Sequence, residues 1–349
     1  MLTEQLRSFQ SEVPAANFSK GLLEIKELPD FGPRTTQGKV RDIWVVNNQK
    51  YGQVRIMITT DRTSAYDRLI CTVPGKGQVL NKLSEFWFSQ TADIVPNHLL
   101  AVPHPNVMII RQAEAMLPVE VVLRRYMAKS STSTSVYHNY IEGGRRRIYG
   151  IDFPEGLRAN QEFPRGTILT PTTKAETGHD LELTDEQAQK IVDGKLGEDT
   201  WEKTKTAAMA VFDQAYAYHK KHGLILVDTK YEFGVDAGGR IMLIDEINTP
   251  DSSRFWLESS YEERMGKGEN PESFDKEILR RWLADQGFRG EGRVPEVDSA
   301  VIQKMSEAYR EPYRMITDRE LPDRDTDSLL YDPNFISARI KESLATLQS

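Results

Sequence analysis

The chain has 349 residues, 39% hydrophobic and 28% charged, with a formal net charge of −7, the composition of an ordinary globular protein with room for two or three domain cores. The acidic balance argues against a general nucleic-acid binder while leaving room for a local basic site. Cys71 is the only cysteine, which excludes an intrachain disulfide or a thiolate metal cluster and suits a reducing cytosol; no run approaches the roughly 18 apolar residues of a membrane span.

The first 20 residues read as a polar lead with a short helix and no apolar core of signal-peptide length. Residues 22–26 are expected as a strand. Residues 36–46 contain QGKVRDIWVV, read as the tip and return of a hairpin. Gly38 has no Cβ, so a ligand can approach the backbone there. Lys39 and Arg41 point the same way and, with backbone N–H groups, would cradle phosphate. No Walker or GxGxxG pattern supports that cradle, and a basic surface hairpin is the plainer reading. A strand over 54–60 runs into the polar loop DRTSAYDRLI. PGKGQVLNKLSEFWF follows as a loop and a helix, with Val79, Leu83, Phe86 and Trp87 at helical spacing. Lys76, Asn81 and Lys82 lie at the helix start, where anions are favoured.

Strands are expected at 107–111 and 119–126, joined by QAEAMLP as the connection between domains. Glu120 sits just after that connection, placed to accept from an amine or a ribose hydroxyl. Arg124 and Arg125 precede a Ser/Thr-rich run, 130–135. That run is either a flexible loop or part of a phosphomonoester site with a guanidinium fork. Residues 142–180 are loop-rich, and a loop this long is usually functional or disordered. Lys174, His179 and Asp180 are its candidates, and a lid over substrates is the expected role of residues 140–170. Thr184 and Gln187 form a capping box for the next helix. A longer helix, 201–222, is closed by Gly223.

That helix delivers the chain into LVDTKYEFGVDAGGRIMLIDEINTPDSSRFW, residues 226–256. Asp228, Lys230 and Glu232 alternate, so a strand puts them on one face. Gly238-Gly239 reads as a two-residue hairpin tip. That tip places Glu232 directly opposite Asp245, with Cβ atoms roughly 4.5–5.5 Å apart, where like charges repel. A cation offsets the repulsion most simply, and two carboxylates beside Lys230 suit Mg²⁺ carrying nucleotide phosphates. A solvated charged hairpin is the alternative. The loop after the second strand carries Asp251 and Arg254. Three helices are expected further on: around 274–282, within 298–317, and from Asp332-Pro333, an N-cap and N1 pair.

The six histidines show no zinc spacing, no GxSxG is present, and Cys71 has no nucleophile signature. Phosphate cradles, paired carboxylates and lysines point instead to ATP-dependent transfer.

Several segments together resemble the phosphoribosylaminoimidazole-succinocarboxamide synthase (SAICAR synthetase) family in its longer form. They are GKVRDIW (38–44), TTDRTSAYD (59–67), GKGQVLNK (75–82), LPVEVVLRRYMAKSS (117–131), PTTKAETGHD (171–180), LVDTKYEFG (226–234) and DEINTPDSSRFW (245–256). They run in family order over about residues 20–285. The resemblance implies an α+β fold: a β-rich nucleotide-binding lobe over 1–116, a larger ATP-grasp and kinase-like lobe over 117–270, and C-terminal helices over 271–349. ATP would lie between the lobes. It implies an enzyme that joins L-aspartate to carboxyaminoimidazole ribonucleotide with ATP and Mg²⁺.

In that frame Gly38, Lys39 and Arg41 match the phosphate-covering hairpin, Glu120 the adenosine side, and Glu232 and Asp245 the magnesium ligands. Arg124, Ser130 and Arg254 match groups holding the ribonucleotide phosphate. Lys174, Asp180, Asp228 and Lys230 match polar positions near the substrates. The expected partners are small molecules, without nucleic acid or membrane; monomer and oligomer stay open. A small-molecule kinase sharing the architecture is the alternative, although it would need a hydroxyl acceptor and often an HRD-type loop, and no HRD occurs.

Overall fold

A computed structural model of the chain describes residues 13–66, 68–130, 132–174, 180–274, 277–322, 327 and 329–348. The chain divides into two compact units. One comprises Met1–Phe86, Leu99–Gln112 and Phe274–Ser349, the other Trp87–His98 and Ala113–Ser273. The C-terminal stretch thus groups with the N-terminal unit.

The first unit is built on a five-stranded antiparallel sheet in the order Thr36–Gln37, Arg41–Asn48, Gly52–Thr59, Val107–Arg111, Leu99–His104. Alternation gives it two apolar faces. Trp44, Val54, Ile56, Ile58, Val107 and Ile109 pack beneath Leu22, Ile25 and Leu28 and beneath Ile336 and Ile340 of the C-terminal helix Pro333–Gln348. Met57, Met108 and Ile110 form a smaller cluster.

Residues 22–26 are irregular, contrary to the expected strand. Side chains take the backbone donors that a neighbouring strand would otherwise take: Leu22 N–H donates to Asp61 Oδ2 at 2.7 Å and Ile25 N–H to Asp42 Oδ2 at 2.7 Å. The edge strand Leu99–His104 carries Pro103 and two register shifts, which hide the period-two signal.

The second unit is organised around the 12-residue strand Leu224–Val235. It pairs antiparallel with Ala115–Met116, Val119–Arg124, Ile241–Ile244 and Ser253–Leu257. The expected connection at 112–118 is therefore partly sheet: Glu114 N–H donates to Val235 O and Leu117 N–H to Phe233 O, both at 2.9 Å. Helix Asp185–Leu196 starts on the capping box read from sequence, with both bonds formed. Helix Thr200–Lys221 buries Trp201, Ala208, Phe212 and Ala215, and its His219 lies stacked between Trp87 and Phe255. Gly223, at φ +75°, ends that helix in the left-handed region open to glycine. Glu258–Gly266 is a helix without a buried residue, so no apolar stripe announced it.

The 140–170 segment has its own core. Tyr140, Ile148, Tyr149, Phe153, Leu157, Phe163 and Ile168 cluster with Met127, Val136 and Tyr137 just before it.

Candidate active site

The long central strand brings most candidates together, and register decides which ones meet. Val119–Arg124 pairs with it so that Arg124 lies opposite Asp228, while on the other side Ser253–Leu257 pairs so that Arg254 also lies opposite Asp228. An arginine–aspartate–arginine row crosses three strands. Arg124 Nη1 donates to Asp228 Oδ2 at 3.1 Å, Arg254 Nε donates to Oδ1 at 2.8 Å, and Arg254 Nη2 also donates to Oδ2. Arg124 Nε is steadied by Thr170 Oγ1 at 2.9 Å, and Arg254 Nη1 donates to Lys129 O at 3.2 Å. Burial alone would raise the Asp228 pKa, but Arg254 and then Arg124 hold it below the usual carboxylate value.

Two and four residues along the same face stand Lys230 and Glu232. Lys230 Nζ donates to Glu232 Oε1 at 2.8 Å and to Glu120 Oε1 at 3.0 Å. Lys174 Nζ donates to Glu232 Oε2, and Thr172 Oγ1 donates to Glu120 Oε2 at 3.4 Å. Burial works against the charges, yet each is held by its neighbours. The Glu232 carboxyl is lowered to about 2 by Lys230 and Lys174. The Lys230 ammonium is raised far above the usual lysine range by Glu232 and Glu120. The result is an alternating ladder, Thr172–Glu120–Lys230–Glu232–Lys174, beside the arginine row.

The expected pairing of Glu232 with Asp245 is not formed. Glu232 lies opposite Ile244, and the pairs Phe233–Leu243, Gly234–Met242 and Val235–Ile241 keep that register. The tip has three residues, not two. Asp236 N–H donates to Arg240 O and Gly239 N–H to Asp236 O, both at 2.9 Å, and only Gly239 of the glycine pair has positive φ, +74°. Asp236 Oδ1 also accepts from Gly238 N–H and Arg240 N–H. This Asx-stabilised turn inserts one residue, and one residue of slip exchanges the faces of a strand. Asp245 lies just past the strand end at φ +65°. Its left-handed backbone breaks the alternation, so the strand's period does not fix its direction.

The loop beyond Asp245 returns to the central strand. Tyr231 donates its hydroxyl to Asn248 Oδ1 at 2.8 Å, Ser253 N–H donates to Thr249 O at 2.8 Å, and Lys230 N–H donates to Ser252 O at 2.9 Å. These bonds set the register that delivers Arg254. Asp251 is half-buried in this loop, its N–H donating to Thr249 Oγ1 at 3.3 Å. Ser130 Oγ accepts from Thr132 N–H at 3.2 Å. Asp180 is half-buried; His179 lies outside the described residues.

In the first unit Gly38 N–H donates to Arg41 O at 2.7 Å and closes the predicted turn. The residue that shapes it escaped the sequence reading. Arg62, 2% exposed, donates through Nη2 to Gly38 O at 3.1 Å, through Nε to Lys39 O at 3.1 Å and through Nη1 to Leu23 O at 2.7 Å. Its Nη2 also meets Asp42 Oδ1 at 3.0 Å. In the sequence it is one polar residue of a polar loop; its partners, 20 or more positions away, exist only once the sheet forms. Lys82 pairs with Glu85 on its own helix.

For a metal, the donor set is the test. Among the described residues no group of three or more carboxylate, histidine or cysteine side chains is arranged to hold an ion. Glu232 and Asp245 supply oxygen donors only, and Glu232 is ionised. Oxygen donors are the chemistry a hard cation takes alongside water and phosphate, but the register does not set these two carboxylates opposite each other, and both Glu232 oxygens accept from lysines.

The family described as SAICAR synthetase matches residues 34–296. The chain is 44% identical over 299 residues to the phosphoribosylaminoimidazole-succinocarboxamide synthase of Legionella pneumophila (strain Lens), covering 85% of this chain and 89% of that one. Among solved structures it is similar to the Saccharomyces cerevisiae SAICAR synthase complexed with SAICAR, at 31% identity and a TM-score of 0.70 over 86% of this chain and 99% of that one. It is also similar to a SAICAR synthetase in complex with ADP, at 26% identity and a TM-score of 0.60 over 82% and 99%. A mixed α+β fold, a lysine–carboxylate ladder and a match spanning most of the chain converge, and the chain belongs to the SAICAR synthetase family.

Proposed function

We propose that the two charged rows of the second unit divide the work of one reaction. The Arg124–Asp228–Arg254 row, with Ser130, holds the phosphate of the ribonucleotide. The Lys174–Glu232–Lys230 ladder faces the reacting carboxylate and the phosphates of ATP. The chain is an ATP-dependent ligase of purine biosynthesis, which joins L-aspartate to carboxyaminoimidazole ribonucleotide and releases SAICAR, ADP and phosphate. Gly38, Lys39, Arg41, Lys82 and Glu120 remain assigned to the nucleotide, and His179, Asp180 and Asp251 to the substrates.

A carboxylate is a poor acyl donor until its oxygen becomes a leaving group. In the proposed order the γ-phosphoryl group passes to the imidazole carboxylate, and the aspartate amine then attacks the acyl phosphate and expels phosphate. Every substrate is an anion, so the residues must offset charge as it moves. Lys230 suits that and is unsuited to general-base work, because two carboxylates keep it protonated. Asp228 is equally unsuited to take the amine proton, being held ionised by two arginines. Its task is to orient them. Glu232 and Asp245 are the residues that would hold Mg²⁺, which supplies charge neutralisation on the ATP phosphates. The cytoplasm is the proposed compartment; Cys71 is a buried free thiol, and burial pushes its pKa up to about 12.

The observation that carries this reading is the ionised Glu232 held between two lysines on the sheet face that carries the arginine row. The experiment is an assay of ADP release. It should require both aspartate and the carboxylated ribonucleotide, and Glu232→Gln and Asp245→Asn should each nearly abolish turnover with folding retained. Full activity of both variants in Mg²⁺ would overturn the metal assignment.

A further inference from the structure

A lid is the expected role of residues 140–170, but Tyr149 of that segment and Asn139 just before it bond into the Ser/Thr-rich loop. Ile148 and Ile151 pair across a two-residue turn, Tyr149-Gly150, with φ +55° and +76°. Two consecutive left-handed residues make the turn that ordinarily takes Asn, Asp or Gly at its first position. A tyrosine there is strained by its Cβ, and strain of this kind persists where surrounding contacts demand it. The contacts here are specific. Tyr149, 3% exposed, donates its hydroxyl to Thr134 O at 2.6 Å. Asn139 Nδ2 donates to Ser133 O at 2.6 Å and to Ser135 O at 3.0 Å. Arg145 holds Asn139 Oδ1 at 2.7 Å and is itself tied to Glu182. Three successive carbonyls of the loop are thus fixed from one side. Burial raises the Tyr149 pKa, and Arg124 beside the phenol works against that rise, so the same side chain abuts both the loop and the arginine row.

We infer that Tyr149 and Asn139 are positioning residues: they hold the 132–135 backbone, and through it Ser130, while Tyr149 abuts Arg124 directly, in the geometry that receives the ribonucleotide phosphate. This rests on the assignment of Arg124 and Ser130 to that phosphate. The segment is then a buttress that sets substrate affinity, and closure over the reaction is not its role. A buttress acts on binding of one substrate, whereas a lid acts on turnover.

The test uses the full chain and compares Tyr149→Phe, Asn139→Ala and Arg124→Ala for the Michaelis constants of ribonucleotide, ATP and aspartate. Tyr149→Phe keeps the ring and removes both the bond to Thr134 O and the hydroxyl's interaction with Arg124. The expected result is a roughly tenfold rise in the ribonucleotide constant, the scale of one hydrogen bond with its unpaired partner. The ATP constant and kcat should stay within about twofold. Backbone amides of 132–135 should exchange faster with solvent in the same variant. An unchanged ribonucleotide constant in Tyr149→Phe and Asn139→Ala, with a raised one in Arg124→Ala, overturns the buttress alone. Unchanged values in all three overturn the phosphate-site assignment and the buttress with it. Equal loss for every substrate, or a fall in kcat alone, also overturns the inference, since those mark general destabilisation or a lid.

Discussion

Asp228→Asn is the sharpest probe of the charged floor. The substitution keeps size and one carbonyl oxygen but removes the charge that lies between Arg124 and Arg254. Asp228 is 7% exposed at its side chain, Arg124 12% and Arg254 21%, so solvent offers little compensation. Removing one partner of a buried ion pair costs about 3–5 kcal/mol. The remaining carbonyl still accepts a hydrogen bond, so the lower end, about 3 kcal/mol, applies. At roughly 2–4 °C per kcal/mol this lowers Tm by about 6–12 °C. Melting should be followed by circular dichroism without substrates, so that ligand binding does not mask the loss. Adding Arg254→Met to Asp228→Asn should cost less than the sum of the two single changes, because the second change removes a charge the first left unpaired. A Tm within 2 °C or so of wild type, or strict additivity, would refute the view that Asp228 exists to hold the two guanidinium groups.

The other expectations test separate parts of the site. Arg254→Ala should raise the ribonucleotide Michaelis constant more than that of ATP; an unchanged ribonucleotide constant removes Arg254 from the phosphate site. Arg62→Lys, which cannot reproduce the fork to Gly38 and Lys39, should raise the ATP constant severalfold with the ribonucleotide constant unchanged, and equal constants in the variant and wild type would show that the turn needs no such support. Glu232 has a pKa of about 2 against an ordinary 4.5, so its ionised form stabilises the fold fully above about pH 4.5 and the contribution disappears as pH falls towards 2. Glu232→Gln should therefore be less stable than wild type by on the order of 3 kcal/mol near neutrality. That gap should narrow on acidification, and a gap that stays constant from pH 6 to pH 3 or so would contradict the lysine clamp.

Much of this protein was written locally. The alternation of Asp228, Lys230 and Glu232, the capping box at Thr184, the Gly38 turn and the helix ending at Gly223 depend on neighbours within a few residues, and each formed as read. The motif set also carried the family, because several short segments in fixed order are jointly specific. Where local signals misled, a side chain had changed the local rule. Asp236 caps the hairpin tip and makes it three residues long, so Glu232 faces Ile244. Asp61 and Asp42 take the backbone donors that would have made residues 22–26 a strand. The tertiary structure alone decided the meetings across long separations. Arg124, Asp228 and Arg254 form one row only because three strands, with Arg124 104 positions from Asp228 and Arg254 26 from it, share a register, and Arg62 shapes a turn more than twenty residues before it. No period or spacing encodes such pairings; they follow from which strands come to lie side by side when the apolar faces are buried.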